Sequence, residues 1–318
     1  MKRIKNIFIS QLILFCITNF TNNYAQNSDS TRLPSLGDHV FTTIAGMSDP
    51  FIKTKFILTI GIANLVNTEI PIYIKSRDET VIFEPNIFYT VGGIEYQHAV
   101  KDWAAIHFKA GGLARVGDDV LSIAAQGISA ASFFGIGMLF KLAESENLLL
   151  SGSMDLNTSS LTYIDFSSKF DDIDVDSLTS QQVINNYQIL SGNLQFRLAL
   201  KFSRVLGLIA NASGSVGEIY ARDSKNDFNW VFGSLLNVDM KNWINIPFGV
   251  AFGGTVVSND WQYNTTSEPV YTVNLNISFI NQGDFMVGLE NYLQLVDQDR
   301  FDKTYKFHYS RIYLSYFF

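Results

Sequence analysis

The sequence predicts an all-β fold: a transmembrane, antiparallel, up-and-down β-barrel of about twelve strands. Three observations carry this. Apolar and polar residues alternate with a period of two through most of residues 53–318. The links between the alternating runs are by turns tight and long. Only 17% of the residues are charged, yet no window after the N-terminus offers the roughly 18 uninterrupted apolar residues of a membrane helix. A chain of this composition that enters a bilayer must do so as strands.

The run "QILSGNLQFRLALKF" (188–202) sets Leu190, Leu194, Phe196, Leu198, Leu200 and Phe202 on one face and Ser191, Asn193, Gln195, Arg197 and Lys201 on the other. Successive side chains of a strand point to opposite faces, so this is a half-apolar strand. "VYTVNLNISFI" (270–280) repeats the pattern, with Tyr271, Val273, Leu275, Ile277 and Phe279 against Thr272, Asn274, Asn276 and Ser278. "NLLLSGSMDLN", "DWAAIHFKAGGLAR" and "INIPFGVAFGGTV" read the same way, the last with Ile244 and Ile246 already in the strand. Such runs fall at about 53–66, 86–99, 102–115, 128–142, 147–158, 188–202, 204–218, 227–240, 243–257, 268–280, 284–296 and 304–318. Each is about 12–15 residues long, against 5–6 for a typical globular strand and about 9–11 needed to cross hydrocarbon at a tilt.

Tight links ("AVKD", "AESE", "SR", "KN", "NQGD") follow the even-numbered runs, and longer ones follow the odd-numbered runs, the longest at 159–187. A secreted β-sandwich would explain the alternation of residues, but neither the strand lengths nor the alternation of links. A barrel with short turns at one end and long loops at the other explains both. An even strand count places both termini at the short-turn, periplasmic end. Because every backbone N–H and C=O must be paired inside hydrocarbon, the sheet must close on itself. The apolar face is then the outside, with Trp103, Trp230, Trp243 and Tyr316 suited to interfacial girdles. The other face would line the lumen with Glu95, His107, Lys109, Arg115, Asp155, Arg197, Lys201, Asp239, Glu290 and Arg311. Both signs are present, which argues for salt-bridged filling or oppositely charged walls rather than for a one-sign ion filter.

The first residues, "MKRIKNIFISQLILFCITNFTNNYAQ", read as a secretory signal peptide over 1–25: Lys2, Arg3 and Lys5, a short apolar stretch, and Ala25 for cleavage. Cleavage there removes three of 23 cations and none of 30 anions, making the chain more acidic than its formal −7. It also removes Cys16, the one cysteine, so disulfides, thiol chemistry and cysteine-held zinc drop out. An acidic chain without a basic, aromatic-interleaved patch does not suit nucleic acid. Residues 26–52, with "SLGDHVFTTIAGMSDPF", form an N-terminal periplasmic segment or plug, and 53–318 the barrel.

The chain ends on "RIYLSYFF", with Ile312, Leu314, Tyr316 and the terminal Phe318 at every second position. With the signal peptide and about twelve amphipathic strands, this resembles the Gram-negative outer-membrane β-barrel proteins, over roughly residues 53–318. The aromatic- and asparagine-rich style, with "AQ" after the signal, also resembles proteins of the Bacteroidetes. In that barrel family the last strand carries the assembly signal, which the resemblance assigns to Ile312, Leu314, Tyr316 and Phe318. It further implies location in the bacterial outer membrane. The implied partners are outer-membrane lipids and lipopolysaccharide, the barrel-assembly machinery and periplasmic chaperones.

The sequence shows no catalytic, cofactor or metal motif. The outer-membrane phospholipase signature, His–x–Ser–Asn–Gly, is broken after His308 and Ser310 by Arg311 and Ile312. Asp172, Asp174 and Asp176 have the spacing of a calcium loop, but Ser177 and Val183 replace its glycine and glutamate, so an EF-hand is rejected. "GDDVLSIAAQGISA" (117–130) has helical apolar spacing and is expected to pack at the barrel mouth or in the lumen. The expectation is a porin-like passive channel or transporter for small hydrophilic or amphipathic solutes. The alternatives are a closed barrel with a structural, adhesive or surface-binding role and, third, a lipid hydrolase.

Overall fold

The computed structural model describes residues 32–44, 47–66, 70–74, 79–83, 87–116, 127–164, 184–219, 227–258, 269–280, 284–298 and 303–318. Residues 1–31, with the expected signal peptide over 1–25, the apolar run over 117–126 and most of the acidic run, over 165–183, lie outside them.

Two short strands, β1 (Ser35–Leu36) and β2 (His39–Val40), form a hairpin, and β4 (Ile70–Ile74) pairs with β5 (Glu79–Phe83) in another. The remaining twelve strands make one closed antiparallel barrel. They are β3 (Lys55–Val66), β6 (Ile87–Lys101), β7 (Ala104–Val116), β8 (Gly127–Glu144), β9 (Leu148–Ile164), β10 (Ile184–Lys201), β11 (Leu206–Ile219), β12 (Asp227–Asp239), β13 (Phe248–Val257), β14 (Val270–Ile280), β15 (Phe285–Gln298) and β16 (Lys303–Phe317). Each pairs with its sequence neighbour in the barrel, and β16 returns to pair with β3 from Lys306↔Val66 to Phe317↔Lys55. Closure leaves no edge strand, which is what hydrocarbon requires.

The two-residue period sorts the faces. On β14, Tyr271, Val273, Leu275, Ile277 and Phe279 are exposed, while Asn274, Asn276 and Ser278 are buried. The same parity exposes Ile60 and Ile62 on β3, Met154 and Leu156 on β9, and Ile312, Leu314, Tyr316 and Phe318 at the C-terminus. A polypeptide that turns its large apolar side chains outward around a closed sheet is matched to lipid, not to water. Trp103 and Trp243 stand exposed at the short-turn end, and Trp230 near the opposite end of β12.

The sequence reading needs correction in three places. Ile244 and Ile246 do not extend β13. Asp239 instead caps a one-turn helix, α1 (Met240–Ile244), its Oδ1 accepting from the backbone N–H of Lys241 and Asn242. Asn245 closes that turn in the left-handed region at φ 57°, so the "KN" link is a capped helix and not a tight turn. Residues 128–130 carry two sequence readings, the end of a helical run and the start of the fourth strand, and the strand reading holds: β8 begins at Gly127, and Ile128 is a strand residue. The longest link is shorter than its sequence boundaries, because β9 runs to Ile164 and β10 starts at Ile184.

Leu275 lies at the middle of β14 on the outer face. Leu275→Arg is expected to lower folding stability in lipid vesicles by about 2–4 kcal/mol, measured by urea titration. The same change on a water-exposed sheet would cost far less.

Candidate functional site

The interior is where chemistry-bearing side chains collect, and its short-turn half is filled by the chain's own N-terminal segment. Gly37 turns the β1–β2 hairpin at φ 55°, a conformation that side chains with a Cβ rarely adopt. Beyond it Phe41, Ile44, Met47 and Phe51 are buried against Leu149, Ala199, Ile209, Leu235 and Ala251 of the inner wall. Leu33 joins Ile57, Ile280, Met286, Tyr313 and Phe317 on the other side. The wall is small where the segment is large: a Cβ on Gly207 would come within 2.5 Å of the Phe41 ring, and one on Gly249 would overlap Thr42.

Wall side chains satisfy the segment's backbone, as a buried irregular segment demands. Asn237 Oδ1 accepts from Thr42 N (2.8 Å), Asn276 Nδ2 donates to Thr43 O (3.2 Å) and Ser151 Oγ donates to Pro50 O (2.6 Å). Arg197 Nη1 donates to Asp49 O (3.1 Å), and Gln97 Nε2 donates to Phe51 O and Lys53 O (2.7 and 2.9 Å).

Most of the charged residues singled out from the sequence meet an oppositely charged or imidazole partner, and Arg115, Arg197 and Asp239 meet neutral groups. Glu95 lies 3.5 Å from Lys55 and 3.4 Å from Lys109, Lys55 is 2.5 Å from Asp49, and Lys109 donates to Ser48 Oγ (2.9 Å). His107 Nε2 meets Asp155, whose other oxygen accepts from Ser153 Oγ (3.0 Å). Arg197 Nη2 donates to Ser153 Oγ, and Arg197 Nε to Gln195. Lys201 reaches Asp38 (3.3 Å), and Asp239 Oδ2 accepts from Val40 N, so the helix cap also holds the segment. Arg311 and Glu290 make a two-pronged pair at 2.7 and 3.0 Å, with the guanidinium 4.6 Å from the Tyr292 ring centroid. Arg115 stands 5.9 Å from the Tyr89 ring centroid.

Ser153 bonds the Asp155 carboxylate and not the imidazole, so His107 has no hydroxyl nucleophile in that contact. His308 and Ser310 share the outer parity, and Ser310 Oγ donates to Asn291 Oδ1 (2.6 Å). Among the described residues no cluster of three or more metal-ligating side chains occurs. Sequence reasoning placed Asn276 on the inner face but missed Asp49, Ser48, Lys55 and the wall amides Gln97 and Asn237. It also missed the inner-face aromatics Tyr89, Phe133, Tyr292 and Tyr309. Parity was the signal that would have found the wall residues, since Tyr292 and Tyr309 share the face of Glu290 and Arg311.

A closed antiparallel barrel with an apolar exterior and a polar, partly filled interior defines a class: the transmembrane β-barrels of bacterial outer membranes. No family model and no curated protein matches the chain. Solved barrels do. The chain is similar to the KdgM porin in complex with disordered oligogalacturonate (6% identity, TM-score 0.44, covering 83% of this chain and 99% of that one). It is similar to the translocator domain of the autotransporter NalP from Neisseria meningitidis (8%, 0.48, 84% and 90%). A Pseudomonas aeruginosa FadL homologue gives 10%, 0.44, 86% and 93%. No residue here takes a role from these remote likenesses.

Two predictions follow from the interior. Arg311 is 11% exposed and Glu290 fully buried, so Glu290→Ala, which strands the guanidinium, is expected to cost about 3–5 kcal/mol in urea unfolding. The double change Glu290→Leu/Arg311→Met should recover most of that loss.

His39 is fully buried, its Nδ1 donating to Arg204 O (3.0 Å). Burial holds its pKa below the ordinary 6.5, against the Arg204 carbonyl, Asp239 and Asp38, which raise it, while Lys201 lowers it further. The docked segment therefore favours neutral His39. Docking is at full strength above pH 6.5 and weakens as pH falls from 6.5 towards the depressed pKa, by up to ~1.4 kcal/mol per unit of depression. Hydrogen exchange over residues 33–51, corrected for intrinsic rate, should show this between pH 7.5 and 5, and His39→Gln should abolish it.

Proposed function

We propose that the protein is an outer-membrane passive channel or transporter for small hydrophilic or amphipathic solutes, with residues 32–54 as a displaceable closure at the periplasmic end. One observation carries this reading: the two halves of the lumen differ. Inner-face residues at the short-turn half, such as Leu139, Asn237, Asn276 and Ser278, are buried under the segment. Those towards the long loops, such as Asn157, Asn193, Ser213 and Thr255, are partly exposed. The arrangement is a polar vestibule above a floor held by hydrogen bonds and ion pairs, without a covalent tie. The charged pairs supply a latch, since breaking one costs the burial of an unpartnered charge. Both termini then lie in the periplasm, and Ile312, Leu314, Tyr316 and Phe318 act as the address read by the assembly machinery.

A Cβ on Gly249 stands 3.4 Å from that of Thr42, close to the ~3.5–4.5 Å that a disulfide spans. Thr42→Cys/Gly249→Cys in a Cys16→Ser background is expected to be silent in planar bilayers when oxidised. It should show single-channel steps after reduction, as the unmodified protein does. Equal conductance in both states would exclude the segment as the closure. Silence of every form, the unmodified protein included, would favour a closed barrel with a structural or surface-binding role.

A further inference from the structure

The inner wall carries an aromatic cluster that the closure does not explain. Among residues whose side chains are described, inward-facing aromatics gather on β15, β16, β6 and β8. Towards the long loops these are Tyr292, Tyr309, Phe307, Tyr89 and Phe133. Tyr292 and Tyr309 are cross-strand neighbours with ring centroids 4.8 Å apart, and Phe307 stacks 6.4 Å from Tyr309. The same rung continues through Ala63 to Tyr89. Phe133 lies across Gly111 on the lumen side and is 50% exposed, a large apolar surface bared inside the barrel.

On β9 to β14 the inward parity towards the long loops includes the amides and hydroxyls of Asn157, Asn193, Ser213, Ser215, Thr255 and Thr272, among apolar residues such as Ile189, Val231 and Val257. All are partly exposed. Three pairs of charge-bearing groups lie between the two walls: Glu290 holds Arg311, Glu95 holds Lys109, and His107 meets Asp155, while Arg115 stands at the Tyr89 ring.

We propose that this vestibule binds a neutral oligosaccharide. The inference rests on the transport reading and names its substrate class. A sugar ring presents C–H faces, which pack on aromatic rings, and a rim of hydroxyls, which pair with amides and Ser/Thr hydroxyls. The vestibule offers these two surfaces on opposite sides. A fatty acyl chain suits only the aromatic wall and leaves the amide wall desolvated without partners. A small ion or amino acid has no use for three adjacent rings. A polyanion finds Lys109 and Arg311 already matched by carboxylates. The cross-strand pair Tyr292 and Tyr309 at 4.8 Å, extended along β16 by Phe307 at 6.4 Å, forms a platform longer than one sugar unit, which favours a chain over a monosaccharide.

The test is equilibrium binding to the full chain in detergent micelles, read by intrinsic fluorescence and calorimetry. The probes are neutral gluco-, manno- and galacto-oligosaccharides of four to six units, with oligogalacturonate and laurate as comparisons. At least one neutral series should bind saturably. Tyr309→Ala and Tyr292→Ala should each weaken it about tenfold, roughly 1.4 kcal/mol. Asn193→Leu, on the opposite wall, should weaken it comparably, while the lipid-facing Leu275→Ala should leave it unchanged. If Tyr309→Ala fails to fold, Tyr309→Leu keeps an apolar body without the ring and serves in its place. Absence of binding by every neutral series overturns the proposal, as does tighter binding of oligogalacturonate or laurate. Because binding is measured without transport, a barrel that binds the sugar but conducts nothing removes the transport reading and leaves this inference standing. One that conducts small solutes but binds no sugar does the reverse.

Discussion

The backbone pairing of β16 with β3 is the contact on which the rest depends. In hydrocarbon an unpaired N–H or C=O has no water to turn to, and each costs several kcal/mol. A sheet of twelve strands that stopped short of closure would expose two such edges. Pairing from Lys306↔Val66 to Phe317↔Lys55 removes both at once. It also explains why the last strand is apolar on the outer parity to its final residue: Ile312, Leu314, Tyr316 and Phe318 face lipid along the seam itself. Its inner parity is aromatic as well, through Phe307, Tyr309, Tyr313 and Phe317, so this one strand serves both the bilayer and the lumen.

Closure creates a second problem inside. A cylinder of this size has an inner face that must be packed, hydrated or charge-matched, and here all three solutions appear at different heights. At the short-turn end the N-terminal segment supplies Phe41, Ile44, Met47 and Phe51 as a small apolar core, each large side chain contributing about 1.5–3 kcal/mol on burial. Above it, charges of both signs meet in pairs that link the segment to strands on different sides of the barrel. Towards the long loops, partly exposed amides and hydroxyls face the aromatic wall. The glycines at 207 and 249 mark where wall and segment touch most closely, and Asp239 serves the α1 helix and the segment together.

The strands were legible because side-chain direction alternates residue by residue, so a bilayer on one side writes itself into the sequence as a period of two. "VYTVNLNISFI" could be read face by face without any tertiary information. At 243–247 the same reading failed. Ile244 and Ile246 keep the alternation, but Asp239 offers a local cap to the following N–H groups, and a short-range hydrogen bond outweighed the pattern. Residues 128–130 fit both a strand run and helical spacing over a short apolar stretch, and pairing with β9 decides for the strand.

By itself, then, the sequence determined the fold class, the approximate span of each strand and which parity meets lipid, because these follow from local periodicity and from the rule that backbone groups in a membrane must pair. The tertiary structure alone decided what the lumen contains. His107 finds Asp155 48 positions away and Lys201 finds Asp38 163 positions away. Such contacts depend on strand register and on the path of a segment threaded through the centre of the barrel. Neither leaves a periodic trace, so what faces what across the lumen emerges only when the sheet has closed and opposite strands face one another.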